Sequence, residues 1–467
     1  MPSRKMFVLV PTPLEPLDAG KSMSKSRKKN DPLDVGKRSA LFSTAAVLTD
    51  HGLRPGMDAS RCDAFDNNIK KNGLRYVAML LLSLLLTACG QGSGNNANTT
   101  SSAANAPAPP LVVKSPSPPP DSSPPTPTPP PVQTGTARYF VYVANFGDGT
   151  VSAYTALTSG HLQSNGGVNV GAGAVSIAIM PSGKFAYVAN ANGDSLSAFM
   201  VDSATGALTA IGGSPFATGT NPFHVMVHPS GQFVYVANRA SNDVSAFSID
   251  PDSGVLTRLA GSPFTAGGSP FAIAVEPAGR FAYVANFGSN DISAFAVSAA
   301  GALKEVLGSP FAAGTAPASI AIDPAGHFAY VADYDSNDIS VFSINASGAL
   351  ALTATVPIEN GLHPVCITLN SDGTLAYVAN RDTGNISAFT IADSGTLVAV
   401  PGSPFVAGRG PFAVTLDPAG TFAYTPNQNS DSVSGFTIDA STGTLALLGS
   451  VPTGKEPVAV AITKGAL

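Results

Sequence analysis

FAYVAN, residues 281–286, decides the fold because it does not stand alone. Its last four letters recur at 142–145, 187–190, 235–238 and 377–380, with YVAD at 330–333 and YTPN at 424–427. The tyrosines (Tyr142, Tyr187, Tyr235, Tyr283, Tyr330, Tyr377, Tyr424) step by 45, 48, 48, 47, 47 and 47 residues. A phrase returning seven times at a near-constant period marks one supersecondary unit, each copy burying its apolar face against the next.

The flanks of 281–286 show what that unit is. PFAIAVE (270–276) alternates large and small apolar residues and ends in the turn Pro277-Ala278-Gly279. FAYVANF (281–287) follows, then the polar loop Gly288-Ser289-Asn290-Asp291, then ISAFAVS (292–298) and ALKEVLG (302–308). Ser309-Pro310-Phe311 reads as the loop to the next unit. Short alternating strands punctuated by Gly, Pro, Asn and Asp predict an all-β domain. Four antiparallel strands per repeat of this length predict a propeller blade, and the count of tyrosines predicts one seven-bladed β-propeller over 137–467.

The ends of the repeat region agree. The first unit opens directly on RYFVYVAN (138–145) and lacks the leading PxxIAI strand, while EPVAVAI (456–462) supplies that strand at the far end. The C-terminal strand is therefore expected to complete the N-terminal blade, which removes free sheet edges. The repeated residues have structural readings: Tyr283 and Phe295 for packing between blades, Asn286 for bonding local backbone at the turn.

Upstream, the chain reads as an address. Lys70, Lys71 and Arg75 precede an apolar run from Val77 to Leu86, which ends in Leu86-Thr87-Ala88-Cys89. A basic start, a short apolar run and small residues before a cleavage point describe a secretory signal. Leu-Thr-Ala-Cys resembles the lipobox of bacterial lipoproteins, which implies lipidation at Cys89. Residues 57–89 are then a lipoprotein signal peptide, 1–56 a non-native or disordered extension with Met57 as the start, and 90–136 a Ser/Pro-rich tether unable to bury a core. The expected location is an outer-membrane or surface lipoprotein facing the periplasm or exterior.

Composition narrows the partners. Residues 137–467 hold 10 Lys+Arg against 21 Asp+Glu, a net charge of −11, which repels phosphate backbones and speaks against nucleic acid. Trp is absent. Of three cysteines (Cys62, Cys89, Cys366) none has metal-ligand spacing, and Cys366 reads as a small core residue. Asp333, Asp335 and Asp338 place three carboxylates in six residues, a candidate set of oxygen ligands for a hard cation such as calcium.

YVAN and the flanking "P-G-FAYVAN…ND-SAF" pattern resemble the YVTN propellers of the bacterial lactonase family, which includes 6-phosphogluconolactonase-like and muconate-cycloisomerase-like proteins. The resemblance covers about 138–463. It implies opening of sugar lactones or cyclisation of muconates at one mouth of a central channel, with no cofactor. It also implies histidines on the inner strands, where this chain holds Ser176, His224, Ala272, Ser319, Cys366, Ala413 and Ala459. His363 precedes another inner strand, whereas His228 and His327 fall in turns at the opposite end and read as surface residues. His224 as base, with His363 near it and Arg239, Arg381 or Arg409 stabilising an oxyanion, would meet the needs of a metal-independent lactonase. Two readings stand side by side. The depleted histidines, the tether and the acidity favour a monomeric binding module for an envelope polysaccharide, peptide or protein, held to the membrane by its lipid. The resemblance and His224 favour a lactonase-type hydrolase.

Overall fold

The computed structural model describes residues 139–465. Cys89, the expected signal peptide at 57–89, the extension 1–56 and the tether 90–136 all lie outside the described residues. Seven antiparallel sheets follow one another along the chain, each a blade; in blades 2 to 7 the earliest strand is innermost. Blade 4 is typical: Pro270–Val275, Phe281–Asn286, Asp291–Val297 and Leu303–Glu305, with Tyr283 opposite Ala274 on one side and Ala294 on the other. Pro457–Lys464 pairs with Tyr139–Asn145, setting Val460 against Val143, so the last strand completes blade 1 and closes the ring.

Each core cluster joins neighbouring blades. Phe281, Tyr283 and Ile292 of blade 4 pack with Ile320, Val331 and Phe342 of blade 5. The motif tyrosine adds a directional tie, because its buried hydroxyl donates to a glycine carbonyl of the next blade. Tyr142 bonds Gly206 at 2.8 Å and Tyr235 bonds Gly301 at 2.8 Å. Tyr424 of blade 7 closes the series on Gly160 of blade 1 at 2.8 Å. Gly301 must be glycine twice over: its φ is +79°, and a Cβ there would lie 2.4 Å from the Phe233 ring. Tyr424→Phe leaves a buried carbonyl at the closing seam without its donor. It should cost about 1–3 kcal/mol, read as a lowered midpoint in urea unfolding at unchanged slope.

The motif asparagine has a different job from the expected one. Its Nδ2 bonds two side chains of the third strand rather than local backbone, as Asn286 does with Asp291 at 2.7 Å and Ser293 at 2.9 Å.

Two further departures have local causes. The outer strand of blades 2, 3, 4 and 6 is split, and the Ser-Pro-Phe segment expected as a linking loop returns to the sheet: Phe311–Ala312 pairs with the third strand. Between the two pieces, where no outer-strand carbonyl meets Ala294 N–H, Ser309 Oγ accepts it at 3.0 Å, and Pro310, with no N–H, brings nothing to the ladder. In blade 7 the inner strand shrinks to Thr415–Leu416. Phe412 N–H donates to the Pro426 carbonyl at 3.0 Å, so the backbone edge of residue 426 faces the inner strand, and proline removes the donor there.

Candidate functional site

The inner strands enclose a channel of about 250 Å³, lined at equivalent positions by Ser176, His224, Ala272, Ser319, Cys366, Ala413 and Ala459. The polar members of this ring are occupied with structure. An inner strand uses one edge for its own blade and turns the other towards the neighbouring inner strand. Ser176 Oγ accepts Val225 N–H at 3.2 Å, His224 Nδ1 accepts Ile273 N–H at 3.4 Å, and Ser319 Oγ accepts Ile367 N–H at 3.1 Å. In each case the donor belongs to the next blade, and Cys366 meets Val414 N–H in the same way.

This placement sets the chemistry of His224. The residue lines the channel, and burial pushes its pKa down to about 4. With Nδ1 accepting, the proton of the neutral ring sits on Nε2, so His224 presents a donor to the channel. Burial likewise pushes the Cys366 thiol up, which keeps it protonated.

A different cluster forms at the channel end where the motif strands finish. The residue after each motif lies at this end of its strand, and it varies from blade to blade: Phe146, Ala191, Arg239, Phe287, Tyr334, Arg381 and Gln428. Ring contacts run continuously across blades 3 to 6. Phe223 lies 4.1 Å from Phe271, Phe271 stacks on Phe287 at 5.2 Å, and Phe287 reaches Tyr334 at 5.8 Å. Tyr334 stacks on the His363 imidazole at 4.3 Å with an interplanar angle of 11°. The Arg239 guanidinium stands 5.2, 5.3 and 5.6 Å from the centroids of Phe223, Phe271 and Phe287.

Arg381 fixes the other end of this arc. Its guanidinium donates to Gln428 Oε1 at 3.2 Å and to the Tyr334 hydroxyl at 3.4 Å, and stands 3.8 Å from Asp382. Burial pushes the Tyr334 hydroxyl up, and Arg381 partly offsets this. His363 Nδ1 lies 2.6 Å from Asp382 Oδ2. Arg381, Asp382, Arg409 and Asn429 also line a groove of about 490 Å³.

Of the expected site residues, then, Arg239, Arg381 and His363 belong to one arc, Arg409 is exposed in the adjoining groove, and His224 lies in the channel. His327 is exposed, but His228 is not the surface residue expected: it is buried, bonded through Nε2 to the Gly279 carbonyl at 2.9 Å and through Nδ1 to Ser230 at 2.8 Å. Its turn is roofed by the glycine turn of the next blade, where a Cβ would come within 2.4 Å of the ring.

The candidate cation ligands do not converge. Asp333 is fully buried, Asp335 is exposed, and among the described residues no three acidic, histidine or cysteine side chains are placed to hold a metal ion. Asp333 replaces the motif asparagine. Its Oδ2 accepts from Ser340 Oγ at 2.7 Å, while buried Oδ1 has no partner. Desolvation and the nearby Asp338 carboxylate push its pKa up to about 7.

Sequence reasoning passed over Tyr334, Asp382 and the phenylalanines. The signal was present, because a position that varies next to a motif that does not is where a repeat protein departs from its scaffold.

A model of the family described as "Lactonase, 7-bladed beta-propeller" matches residues 164–271, 260–369 and 363–462. No curated protein matches the chain. Among solved structures, one described as a candidate 6-phosphogluconolactonase from Bacteroides fragilis has a TM-score of 0.64 and 20% identity, covering 71% of this chain and 99% of that one. A Lactobacillus plantarum protein has a TM-score of 0.63 and 23% identity, covering 70% and 100%. The periplasmic gluconolactonase PpgL of Pseudomonas aeruginosa has a TM-score of 0.61 and 20% identity, covering 69% and 98%. These likenesses show a shared fold, and the family match, spread over six of the seven motif repeats, makes this chain a member of the lactonase family of seven-bladed β-propellers.

Proposed function

We propose that the protein hydrolyses a lactone at the channel mouth, on the outer side of the cell membrane and tethered there by lipid on Cys89. One observation carries this reading: Arg381, Tyr334, His363 and Asp382 form a single bonded and stacked cluster at the end of an aromatic arc that also holds Arg239. The arc gives a flat apolar floor for a ring. The guanidinium groups give fixed positive charge for the oxyanion that develops when water attacks the ring carbonyl, and for the carboxylate product. The family description supports lactone as the substrate class. The similarity to a periplasmic gluconolactonase supports both the class and the compartment.

The test is turnover of a panel of sugar and acyl lactones by residues 137–467 beside Arg381→Ala. Hydrolysis well above the uncatalysed rate, reduced about 100-fold or more in the variant, is expected from loss of one charged stabiliser. Background rates across the panel for the wild-type protein would overturn the reading and direct the search to envelope ligands of the same mouth.

A further inference from the structure

We infer that His363, positioned by Asp382, is the general base of the mouth. This deepens the lactonase reading and rests on it. A carboxylate accepts only, so the 2.6 Å contact between His363 Nδ1 and Asp382 Oδ2 puts the imidazole proton on Nδ1. The lone pair is left on Nε2, which takes no hydrogen bond from the described residues. His224 has the opposite arrangement: its Nδ1 accepts Ile273 N–H, so its Nε2 carries a proton and cannot take one from water.

The backbone of His363 is held as firmly as its ring. Its N–H donates to Asn337 Oδ1 of blade 5 at 2.7 Å, and its carbonyl accepts Arg381 N–H at 3.1 Å. Its φ of +56° lies in the left-handed region, as does that of the equivalent residue in every other blade (Gly173, Asn221, Ser269, Ala316, Gly410 and Glu456), so the scaffold sets the backbone from which the ring projects. The backbone clamp is shared with the equivalent residues of the other blades; what is particular to His363 is a ring stacked on Tyr334 and oriented through Nδ1 by Asp382, which leaves Nε2 preorganised. The charged and titratable groups facing the ring are Asp382, Arg381 and Tyr334.

The step balances without a further reactant. His363 Nε2 takes a proton from water as the water oxygen bonds to the lactone carbonyl carbon, and the carbonyl π pair moves onto its oxygen, facing Arg381. Collapse restores the C=O bond and expels the ring oxygen, which takes the proton back from the imidazolium. A hydroxy acid leaves, ionised to its carboxylate at neutral pH.

The experiment compares kcat and KM against pH for wild type, His363→Ala, Asp382→Asn, Asp382→Glu and His224→Ser, with circular dichroism to verify folding. His363→Ala should lower kcat by about 100-fold or more. Asp382→Asn should lower kcat by about 10- to 1,000-fold with KM little changed, because asparagine can donate to Nδ1 and invert the tautomer. Asp382→Glu, which keeps a carboxylate acceptor for Nδ1, should recover part of the loss. His224→Ser, which keeps an acceptor for Ile273 N–H as Ser176 and Ser319 do for their neighbours, should stay within about threefold of wild type. Activity that survives in folded His363→Ala and is lost in His224→Ser overturns this assignment while leaving the lactonase reading intact. An Asp382→Asn variant that keeps the wild-type kcat, or whose loss Asp382→Glu does not relieve at all, overturns the positioning role. No turnover by wild type overturns both readings together.

Discussion

A chain ending at residue 456 is expected to show no cooperative unfolding transition. The lost strand, Pro457–Lys464, is the inner strand of blade 1, and it buries Val458, Val460 and Ala461 to 3, 7 and 8% exposure. Removing it also uncovers Val141 and Val143 and turns Tyr139–Asn145 into an inner edge. Each buried valine contributes about 1.5–3 kcal/mol, and the total stability of a domain is about 5–15 kcal/mol. The direct loss is thus a large fraction of the whole before the ladder bonds and the seam with blade 2 are counted. Thermal melting by far-ultraviolet circular dichroism and gel filtration check this. The expected result is aggregated or expanded protein with no sigmoidal melt. Transplanting residues 457–464 to the front of Tyr139 through a short turn should restore the transition, because the two strands are antiparallel neighbours. A truncated chain that melts cooperatively within a few degrees of the full chain would mean that closure contributes little.

The second large effect is a dependence of stability on pH centred on Asp333. In six blades this position is an asparagine whose Nδ2 bridges two acceptors, and in blade 5 it is a buried carboxyl beside Asp338. Its pKa in the fold, about 7, stands above its ordinary value of 3.8 because desolvation and a like charge both disfavour ionisation. A carboxyl raised in the fold is bound better protonated, so its favourable contribution is complete below about pH 4. It is lost as pH rises towards 7 and is constant above that. The shift corresponds to roughly 2–4 kcal/mol at pH 8. Asp333→Asn should therefore raise stability at pH 8 by about that amount, change it little at pH 4, and flatten the pH profile of the urea midpoint. Asparagine also restores a donor towards Asp338, matching the Asn286–Asp291 bond of 2.7 Å in blade 4. A variant less stable than wild type at pH 8 would mean that the carboxylate is compensated there, by a bound cation for instance, and would reopen the metal reading of Asp333, Asp335 and Asp338.

The same residue shows why some of the molecule was legible from sequence and some was not. The fold was legible because the tyrosine at position 283 does one job in seven blades and the asparagine at 286 one job in six, and repetition exposes a scaffold. The closure was legible because PVAVAI at one end is what YFVYVAN lacks at the other. Asp333 read as a ligand because three acids within six residues look like a loop. Register puts it at a strand end, fully buried, with Asp335 pointing elsewhere. His224 stood out as the one histidine among small residues on the inner strands, yet its Nδ1 faces an amide of the next blade, a contact between blades that local spacing cannot reveal. Tyr334, Asp382 and His363 come from two blades, and only the rotation between those blades stacks a tyrosine on an imidazole.

The aromatic mouth is the centre of the account, and a crystal structure with the hydroxy acid gluconate bound would test it most directly. The ligand is expected at the end of the channel where the motif strands finish, its carboxylate on Arg381 or Arg239 and its carbon chain against Phe271 and Phe287, within reach of His363. Occupancy instead of the groove at the opposite strand ends, lined by Asp323, His327 and Asp372, with the mouth empty, would contradict it.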